Sequence, residues 1–233
     1  MVQVDPVQAQ TQVKEEPPEV EVYQLHILLL GISPAIQRRL VLRSDSSIAD
    51  LHYFIQITFS WTDSHLHQFK HHGKTYGVYH LGGLDFDTDP KKVRLRDLKL
   101  RLKERFEYQY NLTDNWRHQV RLEKILPLKA KKTYPVCIGG SGVAPPEACG
   151  SPAGFLEAVV KLRSARWEKE GRLAEIMAAM LPHLENGWVR DFIEPYRALL
   201  AELKAAKFDR EAVNRRLLQY VKDDPAWLEG FSF

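Results

Sequence analysis

Histidine and aspartate side chains gather around two predicted β-hairpins and are the residues whose types suit chemistry. Asp63, His65 and His67 lie at the start of one hairpin, and Asp114 and His118 lie in and after the turn of another. Imidazole and carboxylate groups together suit zinc or another divalent ion, and a bound ion can activate water. One interpretation is therefore a metal site formed by His65, His67, Asp114 and His118, with Asp63 beside them.

The same side chains have a structural interpretation, which we prefer. Their spacing matches no dedicated metal-ligand motif. Histidines among aromatic residues can be hydrogen-bonded members of a core, and Asp114 can hold a tight turn. His52 borders the apolar face of a predicted helix, where we expect a satisfied core histidine and not a ligand. The metal site stays open as the alternative.

The segment of residues 91–105 (KKVRLRDLKLRLKER) concentrates positive charge. It holds eight Lys and Arg residues against Asp97 and Glu104, whereas the whole chain has a formal charge of only +3. Such a field can attract polyanions, so one interpretation is that the segment binds a partner, nucleic acid or another protein. The alternative is a solvated edge or helix face. The predicted nucleic-acid contacts are Lys91, Lys92, Arg94, Arg96, Lys99, Arg101 and Lys103.

The two cysteines and the apolar runs bear on the compartment. Cys137 and Cys149 are too few for a disulfide framework and lack C-x-x-C spacing, so we expect free thiols that anchor a buried loop. The longest apolar run, Ile27 to Ile32, is far below the roughly 20 residues that a membrane helix needs. The first residues lack the pattern of a secretory signal. We expect a cytoplasmic protein with no membrane partner.

Hydrophobic periodicity predicts the elements that position these residues. Alternating patterns predict three hairpins, and the pattern within 91–105 leaves helix and strand undecided. Ser47 and Asp50 predict the start of an amphipathic helix that ends near Ser60 and Trp61. The hairpin strands are Val20 to Leu29 with Ile36 to Leu42, Leu66 to Lys70 with Tyr76 to His80, and Phe106 to Leu112 with Trp116 to Glu123.

The predicted fold class is α+β, a mainly antiparallel sheet of two or three hairpins with one packed amphipathic helix and a helical C-terminal region. The predicted domain organisation is a disordered tail (1–19), a sheet domain (20–126), a Pro/Gly-rich connector (127–154) and a helical region packed on the sheet (155–233). The predicted helices of that last region are Phe155 to Arg166, Leu173 to Leu181, Pro195 to Ala206 and Asp209 to Val221.

Three ordered segments and an ending resemble a known family. They are LHYFIQITFSWTDSHLHQF (51–69), FEYQYNLTDNWRHQVRLE (106–123), YPVCIGGSGVAPPEACGSPAGF (134–155) and FDREAVNRRL (208–217). Together they resemble the plasmid pRiA4b ORF-3-like family. The chain departs from the pattern Y-D-F-G-D-x-W-x-H at Asn111, and from C-P-P-E-D-C-G-G at Ala144 and Ala148.

The resemblance implies an uncharacterised protein with a TnpR-like label from mobile elements. A serine resolvase needs a nucleophilic serine amid arginines and a helix-turn-helix, and the sequence offers no convincing candidate for either. We therefore expect a non-enzymatic interaction or accessory module associated with mobile DNA, without a cofactor. The alternative is a metal-dependent hydrolase or nuclease that uses the His/Asp cluster with a divalent metal. The sequence leaves the oligomeric state open.

Overall fold

The computed structural model describes residues 19–77, 88–147, 149–180 and 208–228, except for the side chains of residues 162–167 and 180. The strands are β1 Glu21–Leu29, β2 Gln37–Arg43, β3 His67–His71, β4 Lys74–Tyr76, β5 Arg105–Tyr110, β6 Trp116–Pro127 and β7 Val136–Ser141. The α-helices in this part of the chain are α1 Ile48–Phe59, α2 Pro152–Met180 and α3 Arg210–Val221, and 3-10 helices form at Leu95–Leu98 and Pro225–Leu228.

The strands form one seven-stranded sheet in the order β4-β3-β5-β6-β1-β2-β7. Every neighbouring pair is antiparallel. The pairs β1-β2, β3-β4 and β5-β6 confirm the three predicted hairpins. In the second, β4 begins at Lys74, two residues before the predicted start at Tyr76, and the predicted residues after 77 lie outside the described residues. The α+β prediction is confirmed.

Helix α1 begins at the predicted cap. The Ser47 hydroxyl accepts from the Asp50 backbone N–H at 3.0 Å, and the Asp50 carboxylate accepts from the Ser47 N–H at 2.8 Å. The helix ends at Ser60 in the left-handed conformation, with φ of 57°. Its inner side packs on the aromatic face of β5 and β6, where the Phe59 ring centroid lies 4.8 Å from that of His118. Helix α1 and the sheet therefore share one core.

The opposite face of the sheet carries polar side chains. On it, Glu123 accepts from Gln24 at 2.8 Å and pairs with Arg39 at 3.1 Å and with Arg121 at 3.0 Å. The alternation of buried and polar residues along β5 and β6 places the aromatic side chains and the charged ones on separate faces. The α1 side of the sheet is therefore the one that encloses aromatic and histidine side chains together.

The segment predicted as a connector, 127–154, contains a strand of the sheet. Strand β7 pairs with β2, and helix α3 lies against it. The Asn214 carboxamide accepts from the Cys137 N–H at 2.7 Å and donates to the Cys137 carbonyl at 3.0 Å. The prediction missed this strand because its glycines have no side chains and therefore show no alternating pattern. At Gly140 a side chain would collide with Phe208. Residues 136–141 of the predicted connector thus form a regular edge strand of the sheet.

The C-terminal helices differ from the prediction in one respect. A single helix, α2, runs without a break to Met180 through the region where we predicted two helices separated near Gly171. Gly171 has nothing within 4 Å of the position of an added Cβ. An exposed glycine lowers helix stability by about 1 kcal/mol but does not end a helix. The helix predicted from Pro195 to Ala206, and residues 1–18 of the predicted tail, lie outside the described residues.

Helix α3 follows its predicted cap. The Asp209 carboxylate accepts from the backbone N–H groups of Glu211 at 3.0 Å and Ala212 at 2.9 Å. Val213 and Leu217 are buried on its inner side. Across the described ranges, no helix has the length and apolar character required to cross a membrane.

Candidate functional site

A cluster of two histidines and one aspartate forms where α1, the following loop and β3 meet. His52 comes from α1, Asp63 from the loop and His67 from the first position of β3. The Asp63 Oδ1 atom lies 2.8 Å from His52 Nε2 and 4.0 Å from His67 Nδ1. The two imidazole rings stack with their centroids 3.5 Å apart. One ligand atom from each residue lies within 4.8 Å of the others.

A buried hydrogen-bond chain orients His52. Its Nδ1 atom lies 2.8 Å from the Tyr108 hydroxyl, which also accepts from Gln56 Nε2 at 2.8 Å. Burial raises the pKa of Tyr108 well above its ordinary value, so the phenol keeps its proton. Because Gln56 donates to that oxygen, the phenol proton points to His52 Nδ1. The network therefore assigns the His52 proton to Nε2, where it is donated to Asp63.

Two neighbours fix the conformation of Asp63. Its backbone is left-handed, with φ of 58°, and its N–H donates to Gln56 Oε1 at 3.1 Å. On either side, the Glu147 carboxylate accepts from the Thr62 N–H at 2.7 Å and from the Ser64 N–H at 3.3 Å. The loop is thus held at three consecutive backbone N–H groups, which aims the Asp63 carboxylate at the histidines.

Glu147 supports the candidate site, and the sequence had given it no role. Its carboxylate also accepts from the Thr62 hydroxyl and the Tyr110 hydroxyl. Burial by itself raises the pKa of Glu147, but the hydrogen bonds from Thr62, Tyr110 and Ser64 outweigh it and leave the pKa below its ordinary value. The Pro-Pro-Glu motif could have indicated this role. Proline has no backbone N–H, so a carboxylate in a Pro-rich loop must find its hydrogen-bond donors in other parts of the chain.

The cluster borders an open cavity of about 410 Å³. Tyr53, His65 and Lys91 line this cavity together with the cluster. The Asp63 side chain is 31% exposed, whereas those of His52 and His67 are 1% and 7% exposed. A small ligand can therefore reach the carboxylate, and the cationic residue Lys91 lines the same cavity.

The structure does not bring together the four residues predicted as metal ligands. His67 belongs to the cluster, and His65 lies on the cavity wall with its backbone N–H donating to the Tyr110 hydroxyl at 3.2 Å. Asp114 holds a turn, where it accepts from Asn111 Nδ2 at 2.6 Å. His118 lies elsewhere in the core. Asp63 and His52 instead complete the group around His67, and His52 is at the same time the buried, hydrogen-bonded core histidine that we expected.

His118 is fully buried among aromatic rings. Its ring centroid lies 4.8 Å from that of Phe59 and 5.3 Å from those of Trp61 and Tyr108. Burial lowers the pKa of His118 to about 3; the backbone of Tyr108 and Trp116 opposes this shift only in part. Neither ring nitrogen has a partner of normal hydrogen-bond geometry within the described part of the chain. The ring is therefore neutral and structural.

The basic segment forms turns around a short 3-10 helix, so it is neither the strand nor the α-helix left undecided above. Leu95, Leu98 and Leu100 are buried and anchor it to the core. Arg96 is half-buried. The other predicted nucleic-acid contacts have exposed side chains and are Lys91, Lys92, Arg94, Lys99, Arg101 and Lys103.

Both cysteines are free thiols, as expected. Cys137 is buried in β7 and Cys149 is half-buried after the Pro-rich loop. Burial raises the pKa of both thiols above the ordinary value, so neither has the character of an activated nucleophile.

Comparisons with known proteins agree with the motif resemblance. The family model described as "Plasmid pRiA4b ORF-3-like protein" matches residues 21–185. The chain belongs to the plasmid pRiA4b ORF-3-like family. All three cluster residues, Tyr108 and Glu147 lie within the part of the chain that this family model covers.

Two relatives in the comparisons have no described function. The uncharacterised protein y4hQ of Sinorhizobium fredii is 26% identical over 155 residues, which cover 66% of this chain and 79% of that protein. A crystal structure of MM3350 from Methanosarcina mazei Go1, a protein of unknown function, is 28% identical with a TM-score of 0.56, covering 84% of this chain and 97% of that one. Neither relative therefore assigns a function to the plasmid ORF-3-like fold.

Proposed function

We propose that His52, Asp63 and His67 bind one divalent transition-metal ion, and that the protein uses it to hydrolyse an anionic substrate. The convergence of three ligand atoms within 4.8 Å beside an open cavity carries this proposal. Two imidazoles and one carboxylate are a donor set of zinc hydrolases, which keep a further coordination position open. Zinc is therefore the ion that we expect.

The surroundings of the cluster support this role. Tyr108 and Gln56 hold the His52 ring in one orientation, as outer hydrogen-bond partners of metal ligands do. For Nε2 to act as a ligand, His52 must change to the tautomer that carries its proton on Nδ1, with the Tyr108 hydroxyl turning to accept that proton. Because an ion binds neutral imidazoles and an ionised carboxylate, zinc competes with protons, and we expect its affinity to fall as pH is lowered.

Lys91 suggests the chemical class of the substrate. It lines the same cavity as the cluster and begins the exposed basic segment. A phosphodiester reaching the cavity would meet Lys91 while the rest of a polyanion followed the segment. A bound ion would polarise the phosphoryl oxygen and supply a water of lowered pKa. The residues of the chain would hold the ion, orient the phosphate and keep His52 in place.

A second candidate function is nucleic-acid binding without catalysis, by an accessory protein of mobile DNA. The exposed side chains of the basic segment favour it, and they do not depend on the metal cluster. The plasmid origin in the family description is the support for an association with mobile DNA.

Calorimetric titration of chelator-treated full-length protein with zinc tests the metal site. Asp63→Asn and His67→Ala are each expected to lower the zinc affinity of this site by about a hundredfold. Loss of an outer hydrogen-bond partner of a metal ligand already lowers affinity by roughly 10- to 100-fold, and loss of the ligand itself should cost at least as much. His65→Ala is the matched control: its side chain lines the same cavity but lies outside the cluster. Unchanged zinc binding by both Asp63→Asn and His67→Ala would contradict the proposal.

Hydrolysis of bis(4-nitrophenyl) phosphate by the zinc-loaded protein tests the reaction. Turnover that is lost in Asp63→Asn and retained in His65→Ala is the expected result. Zinc binding without any turnover of this ester, of DNA or of RNA would reject the hydrolase and leave the binding function.

A further inference from the structure

A second group of two histidines and one carboxylate lies at the other end of β3, away from the cavity. His71 is the last residue of β3, His72 begins the turn to β4, and Glu104 immediately precedes β5. Their potential ligand atoms lie within 4.8 Å of one another. In the ranges that the structure describes, this group and the His52 cluster are the two that meet this criterion.

The geometry of the second group centres on one oxygen atom. Glu104 Oε1 lies 3.0 Å from His71 Nε2 and 2.7 Å from His72 Nε2. The imidazole rings stack with centroids 4.1 Å apart and an interplanar angle of 22°. The other carboxylate oxygen accepts from the Arg101 N–H at 2.6 Å, which fixes its orientation. Both rings thus aim the same nitrogen at the same place.

We propose that His71, His72 and Glu104 form a second transition-metal site, separate from the proposed function. Zinc bonds of about 2.0–2.2 Å at tetrahedral angles place ligand atoms roughly 3.4 Å apart. The separations of 3.0 and 2.7 Å fall short of this by less than about 1 Å, so a small outward movement of one ring admits an ion. His72 can make that movement because its side chain is 74% exposed.

The second site differs from the first in its surroundings. It faces solvent through the exposed His72 side chain, so water would complete the coordination. His67 and His71 are four residues apart on one face of β3, or about 13 Å along the strand. Metal pairs that share one substrate lie about 3.5–4 Å apart, so these sites would work independently.

An ion at this position would join the β3-β4 turn to the start of β5. Because it would bind the folded arrangement and not the unfolded chain, it would stabilise the hairpin against opening. We expect a site whose effect is measured in stability and stoichiometry, whatever the His52 cluster does.

The test counts zinc ions bound by full-length, chelator-treated protein. His72→Asn removes one imidazole and keeps the turn, since Asn tolerates the φ of 49° found at His72. We expect two ions in the wild type, one in His72→Asn, one in Asp63→Asn and none in the double variant. His26→Asn, on the polar face and outside both groups, is the control that keeps two ions.

Each other outcome decides between the two sites. One ion that Asp63→Asn removes and His72→Asn leaves in place would overturn the second site while the proposed function stands. One ion with the reverse pattern would support the second site and overturn the first. If zinc raises the melting temperature of the wild type and of His72→Asn equally, the second site is overturned. His71, His72 and Glu104 then form hydrogen bonds with one another and bind no ion.

Discussion

The imidazole of His118 occupies an aromatic-lined site that would suit a phenyl ring. Its pKa is lowered from 6.5 to about 3 because burial disfavours the charged form. The unfolded chain therefore takes up a proton at a higher pH than the folded protein. The contribution of this neutral ring to stability is fully present above pH 6.5 and is lost as pH falls toward 3.

Replacing His118 with phenylalanine is expected to remove this pH dependence. At neutral pH, His118→Phe should unfold with a free energy equal to the wild type's or up to about 2 kcal/mol higher, because a buried polar group without partners costs that much. Urea denaturation between pH 7 and pH 4 measures the difference in slope. A variant that keeps the full wild-type slope would show that another group titrates.

Sequence reasoning reached part of the cluster at the residue scale. It selected His67 and noted Asp63, because histidine and aspartate near a strand suit metal. It did not place His52 in the cluster. Helical periodicity shows that His52 lies at the border of an apolar face, but it does not show which residues its ring contacts. The left-handed backbone of Asp63, with φ of 58°, turns the carboxylate toward the helix and has no signal in the residue pattern.

At the scale of elements, the glycines of β7 are unequal. A Cβ added to Gly140 would lie 2.9 Å from the Gln37 carbonyl oxygen and 2.6 Å from Phe208 Cε1. A Cβ added to Gly139 would have nothing within 4 Å. The close approach at Gly140 joins β2, β7 and Phe208, which lies two residues before α3, so this position helps to hold the sheet and the helix together.

Gly140→Ala is expected to lower the free energy of unfolding by about 1–3 kcal/mol, the usual cost of overpacking a tight contact. Gly139→Ala, the adjacent control in the same strand, should change it by less than about 0.5 kcal/mol. Thermal and chemical denaturation of the pair provide the measurement. Equal losses in both variants would point to backbone entropy and not to the contact at Gly140.

Strands with alternating polar and apolar side chains were predicted correctly, whereas the glycine-containing strand β7 was not predicted. The cap at Ser47 is recognisable from the side chains of Ser47 and Asp50. Strands β5 and β6 are recognisable because apolar and polar side chains alternate between the two faces of the sheet. Strand β7 contains Gly139 and Gly140, which have no side chain to reveal a face. Its place in the sheet depends on β2 and α3, which no local pattern encodes.

At the scale of the whole molecule, the positive charge is concentrated in the basic segment beside the cavity. The chain's formal charge is only +3, yet the exposed basic segment begins at the wall of the histidine cavity. The strand order also joins distant parts of the chain, since β1 lies between β2 and β6. Periodicity predicts strands but not their order, so the proximity of cavity and basic segment could not be read from the sequence.

Removal of three exposed cations should weaken nucleic-acid binding. The triple variant Lys92→Ala, Lys99→Ala, Lys103→Ala is expected to reduce the slope of log affinity against log salt by about three, one for each phosphate that no longer meets a lysine. Fluorescence anisotropy with a labelled DNA oligonucleotide measures it.

The control removes three exposed lysines at Lys129, Lys131 and Lys132, before β7, and produces the same change in net charge. If both triple variants weaken binding equally, affinity follows net charge and the basic segment has no special role.

The contact between Asn214 and Cys137 has a consequence for assembly. A strand at the margin of a sheet offers unpaired N–H and C=O groups that another chain can extend. Here one carboxamide, carried by a helix from the far end of the chain, occupies both groups of Cys137 as a neighbouring strand would. An incoming strand would find both hydrogen-bonding groups of Cys137 already occupied, so Asn214 shields this position of the sheet edge from pairing with another chain.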